Sequence, residues 1–129
     1  MKLDGLNNKQ KEAVVNTDGP MLVLAGAGSG KTKVLTTKIA YLIEEVGVSP
    51  YNILAITFTN KAAKEMNDRL YHMIGEISKK IQVSTFHSFG LKILRENCSE
   101  LGYQSNFVIM DSEDTLSVIK KILKSFNLD

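Results

Sequence analysis

The feature that most constrains this chain is a loop of small residues, Gly26, Ala27, Gly28, Ser29 and Gly30, followed at once by Lys31 and Thr32. Before the loop, Met21, Leu22, Val23, Leu24 and Ala25 make a near-continuous apolar run, as expected of a strand covered on both faces. After it, Val34, Leu35, Ile39, Leu42, Ile43 and Val46 recur at helical spacing, which predicts a helix over about residues 31–46. A phosphate site needs that context. Small residues let backbone N–H groups turn inward around an anion, and the helix N-terminus adds its positive dipole end. Lys31 is then placed to reach the β- and γ-phosphates, and the Thr32 hydroxyl to ligate Mg²⁺. The strict phosphate-loop pattern asks for glycine at position 25, where this chain has Ala25; Gly26, Gly28 and Gly30 keep most of the freedom. A flexible connector would not need the flanking strand and helix, and a dinucleotide-binding loop does not call for Lys-Thr after its last glycine. The local chemistry therefore points to a nucleoside triphosphate with Mg²⁺.

Apolar runs and helical patterns alternate along the rest of the chain, the mark of βαβ units on a parallel sheet. A first helix is predicted over residues 6–16, with Asn7 as cap and Gln10 at the capping-box position. Residues 17–20 are a turn. Further strands are expected at residues 53–57, 81–85 and 107–110, and further helices at residues 60–74 and 88–101. Asp111 caps a last amphipathic helix that carries Leu116, Val118, Ile119, Ile122 and Leu123. The fold class is α/β, with helices flanking a parallel sheet.

Composition narrows the classes without choosing among them. At 129 residues, 43% hydrophobic and 23% charged, the chain is long enough for one core and unlike disordered or low-complexity sequences. The formal charge of +2 is too small to argue for a nucleic-acid partner by itself. No apolar run approaches the roughly 18 residues of a membrane span, so no membrane partner is expected. One cysteine, Cys98, excludes an internal disulfide and suits a reducing compartment, which points to the cytoplasm. In the middle of a helical pattern it reads as a small core residue. His72, His87 and Cys98 are too scattered for a zinc site.

Three further segments bear on the task that the nucleotide would drive. Leu6, Asn7, Asn8, Lys9 and Gln10 precede the phosphate loop; residues 57–63 (TFTNKAA) follow one predicted strand, and residues 83–89 (VSTFHSF) run out of another. Loops at the carboxyl ends of parallel strands open on one side of the sheet, where such folds bind ligands. Together these segments resemble the first motor domain of superfamily 1 DNA helicases of the UvrD/Rep/PcrA type, with the PcrA branch nearest. The resemblance runs from Leu6 to about Asp129, with the motifs in family order and spacing.

That resemblance implies a RecA-like P-loop motor fold and roles for particular residues. Gln10 looks like the glutamine that reads adenine, which a carboxamide can do bidentately; a capping-box role is compatible with it. The ATP contacts would extend over Gln10, Ala25, Gly26, Ala27, Gly28, Ser29, Gly30, Lys31, Thr32 and Lys33, with Lys31 and Thr32 the catalytic pair. Relatives often carry arginine at position 33, and lysine lacks its planar fork. Thr57, Phe58, Thr59, Asn60 and Lys61 look like the motif that holds single-stranded DNA, Phe58 offering a stacking face. Periodicity alone would instead put Phe58 in the core and Lys61 on a solvated face. Thr85 and His87 resemble a second DNA motif; His87 alone would read equally well as orienting a loop.

Hydrolysis also needs a carboxylate for Mg²⁺, another for the attacking water, and an arginine. In this family the carboxylates stand in an Asp-Glu pair on a later strand. Asp111, Glu113 and Asp114 are the only late acidic cluster, and Ser112 breaks the Asp-Glu pattern. The expectation is thus an N-terminal fragment: residues 1–110 as part of the motor domain and residues 111–129 as the start of a helical insertion, the remainder of the helicase chain being absent. The parent would move 3′ to 5′ on single-stranded DNA, with roles in repair and replication. A non-catalytic nucleotide-binding module and a small P-loop phosphotransferase are the alternatives from other classes.

Overall fold

The computed structural model describes residues 3–128. Its elements in chain order are α1 (Asn8–Val15), α2 (Lys31–Glu44), β1 (Leu54–Thr57), α3 (Asn60–Ile74), β2 (Gln82–Thr85), α4 (Phe86–Asn97) and α5 (Ser112–Ser125). Short 3₁₀ turns stand at Pro50–Asn52, Gly75–Lys80 and Cys98–Leu101. The chain divides into two compact units, one ending at Phe89 and one beginning at Gly90.

The first unit is organised around a β1–α3–β2 crossover. β1 and β2 pair in parallel with Leu54 opposite Gln82 and Thr57 opposite Thr85. α3 covers this pair and also meets α2. The core is Ile39 from α2, Ile53 and Ala55 around β1, Met66 and Leu70 from α3, and Ile81 ahead of β2. Leu70 is wholly buried. α3 starts where Thr59 Oγ1 accepts the Ala62 N–H at 3.1 Å, and stops at Gly75, whose φ of 65° suits glycine.

α1 lies against α2 and buries Ala13 and Val14. Its capping box is complete: Asn7 Oδ1 accepts the Gln10 N–H at 2.9 Å, and Gln10 Oε1 accepts the Asn7 N–H at 2.9 Å. Lys38 of α2 closes the other end, donating to the carbonyls of Ala13 (3.0 Å) and Asn16. A cation at the C-terminal carbonyls also complements the helix dipole.

Two predicted strands are corrected. Residues 21–25 and 107–110 join no ladder among the described residues, and the parallel sheet has two strands. Leu22 and Leu24 are 84% and 87% exposed, and Val108 is 84% exposed. Apolar character predicts burial, but a strand also needs a neighbour for its backbone N–H and C=O groups, and no described residue supplies one here.

In the second unit α5 has its own capping box, Asp111 Oδ1 accepting the Asp114 N–H at 2.8 Å. That is the helix-cap role expected of the late acidic cluster. Leu116, Ile119, Ile122 and Phe126 remain exposed on and after α5. Cys98 is buried as expected, but α4 ends at Asn97 and the thiol begins the next 3₁₀ turn, where it donates to the Arg95 carbonyl.

Candidate functional site

The phosphate-loop candidate sits where the sequence puts it, ahead of α2. Gly30 caps that helix with φ 81° and no side-chain bond, and Gly28 has φ 73°. Both conformations cost an L side chain roughly 1 kcal/mol or more, so glycine is required at each. At Gly30 an added Cβ would also come within 3.1 Å of Gln10 Nε2.

The loop is closed on itself. The Gly26 carbonyl accepts from Lys31 Nζ (2.7 Å), Ser29 Oγ (2.7 Å) and the Ser29 N–H (3.3 Å). Lys31 Nζ also reaches the Ala25 carbonyl at 3.3 Å. Gln10 Nε2 donates to the Ser29 carbonyl at 3.0 Å, so its carboxamide caps α1 with one end and ties the loop with the other. Thr32 is half-buried in the first turn of α2, and its carbonyl accepts the Thr36 hydroxyl at 2.9 Å. Lys33 does not turn toward the loop; its Nζ donates to the Gly5 carbonyl at 2.6 Å. A cavity of about 730 Å³ opens beside the loop, lined by Gln10, Ala25, Gly26, Ser29, Lys31 and Lys38 among others.

The donor set suits a triphosphate: the Lys31 ammonium and the Ser29 hydroxyl meet at the Gly26 carbonyl ahead of the N-terminus of α2, and Cβ atoms built on Gly26 or Gly28 would meet only open space. Lys31 Nζ spends two of its three N–H donors on the Ala25 and Gly26 carbonyls, so full use of its charge by an anion competes with these bonds. Among the described residues no three His, Cys, Asp or Glu side chains group to hold a metal ion.

The second cluster lies at the carboxyl edge of the sheet. Thr57 and Thr85 are register partners, and each is followed by a phenylalanine that projects from the sheet end, Phe58 at 91% exposure and Phe86 at 64%. Phe58 is therefore no core residue. Thr57 Oγ1 donates to the Thr59 carbonyl at 3.1 Å, shaping the turn into α3, and Thr59 caps that helix. Asn60 and Lys61 begin α3 and are exposed, as is His87. Thr85 differs from these. It is buried, and its hydroxyl donates to Ser88 Oγ (3.0 Å) and accepts the Ser88 N–H (3.2 Å), which makes it a cap for α4.

Sequence reasoning did not single out Phe86. The repeated Thr-Phe step at both strand ends (57–58 and 85–86) is the signal that could have found it. The tie from Gln10 to Ser29 and that from Lys33 to Gly5 join residues 19 and 28 positions apart, a range that capping and periodicity rules do not reach.

Comparison with known proteins bears on both clusters. The UvrD/REP helicase N-terminal domain matches residues 6–129. The chain is 58% identical over 124 residues to the ATP-dependent DNA helicase PcrA of Staphylococcus epidermidis, which covers 96% of this chain and 17% of that protein. It is 54% identical over 127 residues to the protein of the same name from Staphylococcus aureus, covering 98% of this chain and again 17% of the relative. Both the glycine-rich loop and the aromatic sheet edge lie inside the matched span, and the chain belongs to the UvrD/REP helicase family, through that family's N-terminal domain.

Proposed function

We propose that this chain is the N-terminal, ATP-binding part of a DNA helicase that moves 3′ to 5′ along single-stranded DNA and separates duplex ahead of it. The observation that carries this reading is the family match over residues 6–129, which takes in the loop and the sheet edge together. It is supported by the curated relatives being named ATP-dependent DNA helicases, of whose length this chain spans 17%. The fold would be part of a RecA-like P-loop sheet, residues 1–110 belonging to the motor domain and 111–129 opening a helical insertion. Repair and replication in the cytoplasm follow from the same resemblance.

In this reading Gln10 reads adenine, while Ala25, Gly26, Ala27, Gly28, Ser29 and Gly30 wrap the phosphates with their backbone. Lys31 neutralises charge on the β- and γ-phosphates, and Thr32 helps hold Mg²⁺. ATP supplies the free energy of phosphoryl transfer to water; this chain's share is binding and orientation. At the sheet edge Thr57, Thr59, Asn60 and Lys61 hold DNA phosphates, Phe58 stacks on a base, and His87 lies along the strand. Thr85 contributes by fixing the start of α4. Thr57 ends β1 and Thr59 opens α3, so the two sites share the β1–α3 framework that packs on α2.

The test replaces the corresponding segment of the Staphylococcus epidermidis PcrA with this chain. The chimera should hydrolyse ATP in a DNA-stimulated way and unwind a 3′-tailed duplex in preference to a 5′-tailed one, and Lys31→Ala should abolish both. The 129-residue chain alone should show no DNA-stimulated turnover. Steady turnover by the isolated chain that Lys31→Ala removes would instead mark a self-sufficient phosphotransferase.

A further inference from the structure

β2 passes into α4 without an intervening residue: Thr85 ends the strand and Phe86 begins the helix. At the neighbouring strand end two residues, Phe58 and Thr59, make the turn, and the Thr57 hydroxyl finds its acceptor there in the Thr59 carbonyl at 3.1 Å. Thr85 has no such turn. A helix N-terminus offers N–H groups, while its carbonyls point toward the C-terminal end. A hydroxyl buried at that junction therefore takes its acceptor from a side chain or goes without, at the cost of its desolvation. The first turn of α4 reads Phe86, His87, Ser88 and Phe89, and Ser88 carries the one hydroxyl in it. Its Oγ accepts from Thr85 Oγ1 at 3.0 Å, and its N–H donates back to the same oxygen at 3.2 Å. Thr85 is buried and pairs with Thr57, so this clasp is anchored on the sheet itself. Phe86 and His87 lie between its two ends, and both are exposed.

We propose that Ser88 is a positioning residue whose hydroxyl, clasped to Thr85, sets the direction of His87 along the DNA-holding edge of the sheet. The proposal rests on the reading of His87 as a DNA contact. Two hydrogen bonds between residues 85 and 88 close a small ring around the two residues that they enclose, and losing either one frees backbone torsions at 86 and 87. A side chain carried on a held backbone has less ordering left to do when it meets its ligand, which raises affinity without adding a contact. Threonine at position 88 would keep the hydroxyl, whereas alanine removes the acceptor of the buried Thr85 O–H.

The experiment uses the chimera described above, with a labelled oligothymidylate read by anisotropy and ATP turnover read at steady state. Backbone hydrogen exchange is followed on the 129-residue chain. Ser88→Ala should weaken oligothymidylate binding about fivefold, the factor that one ordinary hydrogen bond supports. The DNA concentration at half-maximal ATPase stimulation should rise by the same factor, while turnover at saturating DNA and the KM for ATP stay as they are. Amide exchange at residue 88 should quicken, and the centre of α3 should remain protected. Ser88→Thr should keep wild-type affinity. In a His87→Ala background, Ser88→Ala should cost nothing further, because a positioning residue acts through the group that it positions. A Ser88→Ala loss that is absent, that threonine does not rescue, or that persists undiminished without His87 would overturn the assignment while leaving the DNA reading of His87 in place. If His87→Ala by itself leaves oligothymidylate binding unchanged, it is that reading which fails, and the proposal falls with it.

Discussion

Truncating Phe58 to alanine separates a DNA-binding role from a structural one more cleanly than any other substitution in this chain. A core phenylalanine loses about 3–5 kcal/mol of stability on truncation. Phe58 is 91% exposed, so nearly all its ring surface is already in water and there is almost no burial to lose. The expected change in folding stability is that of an ordinary surface site, within about 0.5 kcal/mol. Stacking of one base on an aromatic ring contributes about 1–3 kcal/mol, which corresponds to a roughly 5- to 150-fold loss of affinity for single-stranded DNA. Anisotropy titration of a labelled oligothymidylate, on the chimera described above, measures that loss, and chemical denaturation of the 129-residue chain measures the stability. Salt dependence adds a signature. Phe58 neutralises no phosphate, so Phe58→Ala should leave the slope of log K against log salt unchanged, whereas Lys61→Ala should reduce it by about 0.7. A stability loss above about 3 kcal/mol would return Phe58 to the core. Unaltered DNA affinity would remove the sheet edge from the DNA path.

Leu70→Ala in α3, wholly buried at the centre of the core, should cost about 2–5 kcal/mol in denaturant unfolding, and a loss below about 1 kcal/mol would mean that this core is not the one that holds the first unit together. Asp111→Ala should cost α5 about 1 kcal/mol through loss of its cap, read as reduced helicity and faster exchange at the Asp114 amide; unchanged protection there would refute the capping assignment. Burial holds the Lys38 ammonium below its ordinary pKa of 10.5. Between the folded and unfolded values the unfolded chain carries more protons, so stability gained from Lys38 rises with pH through that window. The stability difference between wild type and Lys38→Met should therefore grow as pH rises toward 10.5, and a difference that falls over this approach would refute the sign.

Local signals in the sequence were enough to place α3 and the start of α2 behind the glycine-rich loop, while the helix expected over residues 88–101 runs from Phe86 to Asn97. The span of α3, residues 60–74, follows from a threonine cap, an apolar face and a terminal glycine, all read within a few residues of one another. The capping box at Asn7 and Gln10 is equally local. Pairing is a different kind of information. Residues 21–25 are as apolar as any strand, but whether they join a ladder depends on a neighbour chosen by the whole fold. Phe58 shows the same limit from the other side, since an aromatic after a strand is usually packed, and only the turn at Thr57 and Thr59 sends this one into solvent. Lys33 could be read as an ATP contact because it follows Thr32 in sequence. Its partner Gly5 is brought to it only by the packing of α1 on α2.

The three donors gathered on the Gly26 carbonyl make the closed loop an intramolecular rival of any anion that would take them. A ligand that needs all of Lys31 meets two of its three donors already occupied, so the apparent dissociation constant is the intrinsic one divided by the fraction of loops that stand open. The same rivalry favours the reverse step, because an ammonium released by an anion can return to the Gly26 carbonyl that it holds in the closed loop. A loop built this way therefore works against long residence of any anion held by Lys31.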